Sequence, residues 1–191
     1  MPAAAGKVLT SNPDGFTATF VIDFSKNYFS LFDLEPTFPI DLAQLEQRYR
    51  ALQAQVHPDK FSNASDAERR LSMQCATQVN EAYQTLKQPI DRARYLLGLQ
   101  GVDTQEETNT AMPAEFLMQQ IEWREAIAEA ADTATLDQLA HQLRQATQQL
   151  HAQLGQLIDQ QHADAAQAVR KLRFLDKLRA EINDALAVLE A

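Results

Sequence analysis

A single cysteine, Cys75, occurs in 191 residues. No disulfide can therefore form within the chain, and no cysteine-rich metal site exists. Cys75 falls on an apolar stripe, where a small core residue is expected instead of a reactive thiol. Only five glycines accompany 45% hydrophobic residues, a balance that weighs against disorder or a β-barrel and favours packed helices. No apolar run reaches the roughly 20 residues that a membrane-spanning helix needs. Basic residues are in the minority, 17 Lys and Arg against 26 Asp and Glu, for a formal net charge of −9. That excess of acid argues against general nucleic-acid binding and against docking on an anionic membrane. The first residues hold one Lys7, no arginine and no apolar block, so neither a secretory signal nor a mitochondrial transit peptide is expected, and a reducing cytoplasm is the expected compartment. A glycine-rich phosphate loop and a framed nucleophile are both missing. His141, His151 and His162 share no face at ligand spacing with Cys or carboxylates. Neither a metal, a cofactor nor intrinsic catalysis is expected.

What is present is helical periodicity. Asp41, after Pro39-Ile40, reads as a helix cap, with Gln44 completing a box-like pattern. Leu42, Leu45, Tyr49, Leu52 and Val56 then recur at three- and four-residue steps, one stripe down a helix of about four turns. Pro58 has no N–H and biases His57 out of the helical region, so this helix should stop there. Ser65 with Glu68 forms a second capping box, and Leu71, Cys75, Val79, Ala82 and Leu86 make a second stripe that Pro89 closes. Two stripes joined by a short polar loop predict an antiparallel helical hairpin with His57-Pro58-Asp59-Lys60 at its tip. About ten mostly large apolar side chains, at about 1.5–3 kcal/mol each, outweigh any surface ion pair at ~0–1 kcal/mol. The stripes therefore hold the hairpin, and the tip is free to serve something else.

Around the hairpin, residues 28–34 read as a short helix ended by Pro36, and residues 90–97 as a helix that stops near Gly98 or Gly101. Residues 1–25 read as a leader. Phe16, Ala18, Phe20, Ile22 and Phe24 alternate there as a strand would, but a lone strand has no evident partner. An aromatic Tyr28-Phe29 opening a short helix, a long helix ending in His57-Pro58-Asp59-Lys60, and a helix carrying Asn80-Glu81-Ala82-Tyr83 together resemble a J domain. The tripeptide alone is a weak signal, equally read as a helix-stop turn; the flanking helices give it weight. J domains dock on DnaK-type chaperones and stimulate their ATPase.

Residues 100–112 are a linker by composition. Beyond Pro113 the periodicity predicts three long helices. The first spans residues 113–131. The second carries Leu136, Leu139, Leu143, Leu150, Leu154 and Leu157, and the third Val169, Leu172, Leu175, Ile182, Leu186 and Leu189. An antiparallel three-helix bundle with its own core is expected. In the first helix Phe116, Gln120, Trp123 and Ile127 form the core stripe. Leu117, Met118 and Ile121 lie on an adjoining face edged by Glu122, Glu125 and Glu129. Two readings stand for that face: a wide core stripe with solvated acids, or an apolar ledge for a protein partner. Phe174 is ~100° round its helix from Leu175, at the seam's edge or outside it. It either packs on a neighbouring helix or offers an aromatic contact beside the ledge.

With the J-like half, this bundle is similar to the HscB type of co-chaperone, over residues 27–191. The resemblance implies an all-α protein: a J domain at residues 26–99, a linker at 100–112 and a scaffold-binding bundle at 113–191. It further implies recruitment of a DnaK-type chaperone through His57, Pro58, Asp59 and Lys60 with Arg48 and Arg50. Leu117, Met118, Ile121, Glu122, Glu125 and Phe174 are then implied to bind an iron–sulfur cluster scaffold protein. Two departures stand out. Residues 41–60 hold Arg48, Arg50 and Lys60 against Asp41, Glu46 and Asp59, so the basic face usual in J domains is absent and electrostatic steering should be weak. Val56 stands where an aromatic is usual. The paired cysteines of animal relatives' zinc module are missing too, which points to a bacterial-type protein. Two rivals remain: a structural helical interaction protein without a chaperone role, and a J protein for general clients. The second lacks a Gly/Phe-rich tract and a zinc-ribbon cysteine repeat.

Overall fold

The computed structural model of the chain describes residues 23, 25–62, 64–106, 112–160 and 162–190. The expected leader and its strand-like alternation fall outside these residues, apart from Asp23 and Ser25, and so do residues 107–111 of the expected linker. Every regular element among the described residues is a helix, with no strand among them. The chain divides into two compact units between Gln88 and Pro89.

The first unit holds α1 (Tyr28–Leu31), α2 (Leu42–Val56), a 3-10 turn (Pro58–Phe61) and α3 (Asp66–Lys87). Asn27 caps α1 by accepting from the Ser30 N–H at 2.8 Å. The helix is shorter than residues 28–34 because Asp33 adopts a left-handed φ of 51°; Phe32, just past the helix, is nonetheless buried. The Asp41 carboxylate accepts the N–H groups of Ala43 and Gln44 at the start of α2. At Ser65 the box is reciprocal: its Oγ accepts from Glu68 N, and Glu68 accepts the Ser65 N–H at 2.9 Å. The Ser65 hydroxyl, at 2.7 Å, and its N–H both donate to the Glu68 carboxylate, favouring its ionised form and holding its pKa below the usual value.

Leu45, Val56, Cys75, Val79, Ala82 and Leu86 are buried, with α2 against α3. Leu42 does not share in this core and is 52% exposed. It occupies the first helical position, where a side chain leans back over the entry turn. Tyr83 joins the core: its ring stacks on Tyr49, centroids 4.0 Å apart. The Tyr49 hydroxyl donates to Asn80 Oδ1 at 2.9 Å and accepts from Gln53 Nε2 at 2.9 Å.

The second unit holds α4 (Pro89–Leu99), α5 (Ala114–Glu129), α6 (Thr133–Gln160) and α7 (His162–Leu189). Gly101, at φ 77°, ends α4 in the left-handed conformation glycine tolerates, while Val102 N–H returns to Leu97 O. Ile90, Ala93, Leu96 and Leu97 are buried on α4, which lies against α6 and α7. The compact unit therefore begins one helix before the boundary expected after residue 99. Trp123 and Ile127 of α5, Leu139 and Leu143 of α6, and Leu178 and Ile182 of α7 meet around one small gap. The start of α6 thus faces the end of α7, the antiparallel arrangement of a bundle. Leu136, Leu143, Leu154, Val169, Leu172, Leu175 and Ile182 are buried as their spacing predicts, and Ile158 and Leu178 join them. Leu189 is 42% exposed, on the last turn of α7, and is not a core residue.

Candidate functional site

Two groups of candidate residues lie in different units, and each is built by its own elements. The first is the hairpin tip. His57 ends α2 with extended backbone, φ −58° and ψ 127°, as a residue before proline should. The 3-10 turn that follows is capped by the His57 ring: the Asp59 N–H donates to Nδ1 at 3.3 Å. Nδ1 accepts in this bond, as the tautomer carrying its proton on Nε2 does. The 3.5 Å approach of Asp59 Oδ2 to Nδ1 becomes an ion pair only when that ring is protonated. The Asp59 side chain is 89% exposed. The tip thus offers a carboxylate on a short, proline-started turn, with no arginine or lysine ion pair to neutralise it among the described residues. Lys60 follows, also exposed.

Arg48 and Arg50, grouped with the tip by sequence, are engaged elsewhere. Arg48 Nη1 meets Phe32 O at 2.7 Å, Asp33 O at 2.5 Å and Asp33 Oδ2 at 2.7 Å. It closes the exit of α1. Arg50 pairs with Glu46 one turn back on α2. The near-neutral charge sum of α2 is therefore matched by local neutralisation, one cation tied to α1 and one to its own helix.

The second group is the α5 ledge. Leu117, Met118 and Ile121 are 42%, 64% and 58% exposed, far more than a core stripe would allow. Glu122 and Glu125 are exposed beside them. Gln120 is buried, and Phe116, Trp123 and Ile127 are half-buried, on the side turned to the bundle. Phe174, on α7, is half-buried. Its ring meets that of Phe116 edge-on, centroids 5.9 Å apart at 77°. Sequence spacing missed Arg124, whose guanidinium lies over the Phe174 ring at 4.9 Å, and Lys171, whose ammonium lies over Phe116 at 5.4 Å. A cation placed seven residues after Leu117 was the available signal.

Beside this group, Arg173 pairs with Asp91 of α4 and with Glu106, the latter at 2.9 Å. Arg170 donates to Thr104 O at 2.9 Å. Burial disfavours the Arg173 charge, but Asp91 and Glu106 outweigh it and raise its pKa. Among the described residues no group of three or more His, Cys, Asp or Glu could hold a metal ion, and no helix is long and apolar enough to cross a membrane.

Comparison with known proteins adds to this geometry. The DnaJ domain family matches residues 27–95, and the HSCB C-terminal oligomerisation domain family matches residues 112–183. A co-chaperone protein HscB homolog of Aromatoleum aromaticum is 48% identical over 174 residues, covering 88% of this chain and 98% of that protein. The chaperone HscB of Vibrio cholerae superposes with a TM-score of 0.77 at 38% identity, covering 86% of this chain and 99% of the other. The human co-chaperone protein HscB superposes with a TM-score of 0.84 at 29% identity, covering 95% and 96%. A J-type hairpin and an HscB-type bundle are thus both present over nearly the whole length of these relatives, and the chain belongs to the HscB family of J-domain co-chaperones.

Proposed function

We propose that this chain binds an iron–sulfur cluster scaffold protein, delivers it to a dedicated DnaK-type chaperone in a bacterial cytoplasm, and stimulates that chaperone's ATPase. The observation that carries this reading is the Asp59 carboxylate, 89% exposed at the end of a helical hairpin. A charge so exposed stabilises nothing inside the molecule. It suits a cationic site on the nucleotide-binding half of a partner, with His57 and Pro58 filling the shape around it. Contact made there more strongly in the hydrolysing state than in the resting state shifts the partner's population toward hydrolysis. The hydrolytic chemistry is the partner's; this chain supplies binding energy alone.

The exposed ledge of Leu117, Met118 and Ile121, flanked by Glu122 and Glu125, supports the scaffold-binding half of the reading. An apolar centre with an acidic rim fits a partner that is apolar with a basic margin. Phe174 belongs to this surface through its contact with α5. Held on one chain, the two partners meet at a raised effective concentration.

The test is single-turnover ATPase of the DnaK-type chaperone with this chain added. Asp59→Asn is expected to abolish stimulation while the melting temperature stays at the wild-type value. Stimulation retained by Asp59→Asn would sink the proposal and leave a helical interaction protein whose His57-Pro58-Asp59 is only a turn.

A further inference from the structure

Arg124 lies three residues after Ile121 and seven after Leu117, so it continues the row of the exposed ledge along α5. Its guanidinium carbon is 4.9 Å from the centre of the Phe174 ring. Its Nε and Nη2 donate to the two carboxylate oxygens of Glu181 at 3.3 and 3.2 Å. Glu181 sits on α7, seven residues after Phe174 and two turns along the same helix. The rings of Phe174 and Phe116 meet edge to face, centroids 5.9 Å apart. One aromatic ring is thus bounded by a second ring and by a cation, and the cation is itself oriented by a forked ion pair.

We propose that Arg124 is a positioning residue for partner recognition: forked on Glu181, it holds the Phe174 ring at the ledge in the orientation the scaffold protein meets. This rests on the scaffold-binding reading of the ledge. A half-buried aromatic left unrestrained must be ordered when a partner arrives, and that ordering weakens binding. A ring already bounded on two sides avoids the loss. The planar guanidinium suits both tasks, since its face can cover a ring while its edge donors reach a carboxylate. A lysine ammonium has no such plane and cannot serve both together. The Arg124–Glu181 pair is half-exposed, with side-chain exposures of 51% and 41%, so its direct contribution to stability is small. Its effect is expected in recognition.

The experiment is titration calorimetry of the full chain with the purified apo scaffold protein of the same organism, alongside NMR of the Phe174 ring protons in the free chain. Arg124→Met is expected to weaken binding about three- to tenfold, and Arg124→Lys by less. Glu181→Gln is expected to weaken binding and to move the Phe174 ring resonances, although Glu181 is no part of the apolar ledge. The double variant Arg124→Met with Glu181→Gln should bind no more weakly than Arg124→Met alone. Leu117→Ala serves as the control for the ledge itself. If Leu117→Ala weakens binding while Arg124→Met and Glu181→Gln bind as wild type, the positioning role is overturned and the ledge stands. Additive losses in the double variant also overturn it. Wild-type affinity in all three single variants removes the ledge assignment and this proposal together.

Discussion

His151 carries a half-buried imidazole on α6, and no protein group among the described residues hydrogen-bonds its enclosed Nε2. Burial pushes its pKa below the ordinary value of 6.5; Asp176 opposes this, and Arg92 adds to it. The folded state therefore binds fewer protons at this ring than the unfolded state does. Its contribution to stability is fully present above the unfolded pKa and is lost as pH falls through the depressed folded value. We expect the urea midpoint of the wild type to fall between about pH 7.5 and about pH 5, and His151→Gln to flatten that slope. An equal slope in both proteins would show that other groups govern the acid limb. At the residue scale the chain order revealed such details unevenly. Asp59 was legible because proline fixes its neighbourhood locally. The role of Arg48 was not, because its acceptors at Phe32 and Asp33 depend on how α1 meets α2.

The caps and stripes are where sequence spoke most directly about elements. Ser65 and Glu68 are three residues apart, and local geometry completes their box without help from distant parts of the chain. Replacing Ser65 with alanine removes both hydroxyl bonds to Glu68, one to its N–H and one to its carboxylate, and is expected to cost about 1 kcal/mol, seen as a lower denaturant midpoint with an unchanged m-value. A wild-type midpoint would mean the box contributes nothing at this helix start. The hairpin and the three long helices follow from three- and four-residue spacing for the same local reason. That α4 packs on α6 and α7 did not follow. Asp91 and Arg173 stand 82 residues apart, and a pairing of that kind leaves no periodic trace. The exposure of the α5 ledge was equally open in the sequence, since spacing gives a face but not what lies opposite. Exposures of 42% to 64% at Leu117, Met118 and Ile121 decide against the wide core stripe.

For the whole molecule, the balanced charge of residues 41–60 and the engagement of Arg48 and Arg50 in local pairs leave little net charge near the tip to steer a partner from a distance. Association with the DnaK-type chaperone should therefore respond only weakly to ionic strength in its on-rate. Adding the scaffold protein is expected to raise ATPase stimulation at a fixed, subsaturating amount of this chain. A steep salt dependence of the on-rate, or stimulation indifferent to scaffold, would count against the division of labour proposed for the two units. Arg48 deserves care in any survey of α2 for this reason. Reversing a charge at position 50 alters only an exposed pair, but at position 48 it unfastens the first helix from the second. A screen that scored chaperone docking alone would record that loosening as lost recognition, and a melting curve run beside it would tell the two apart.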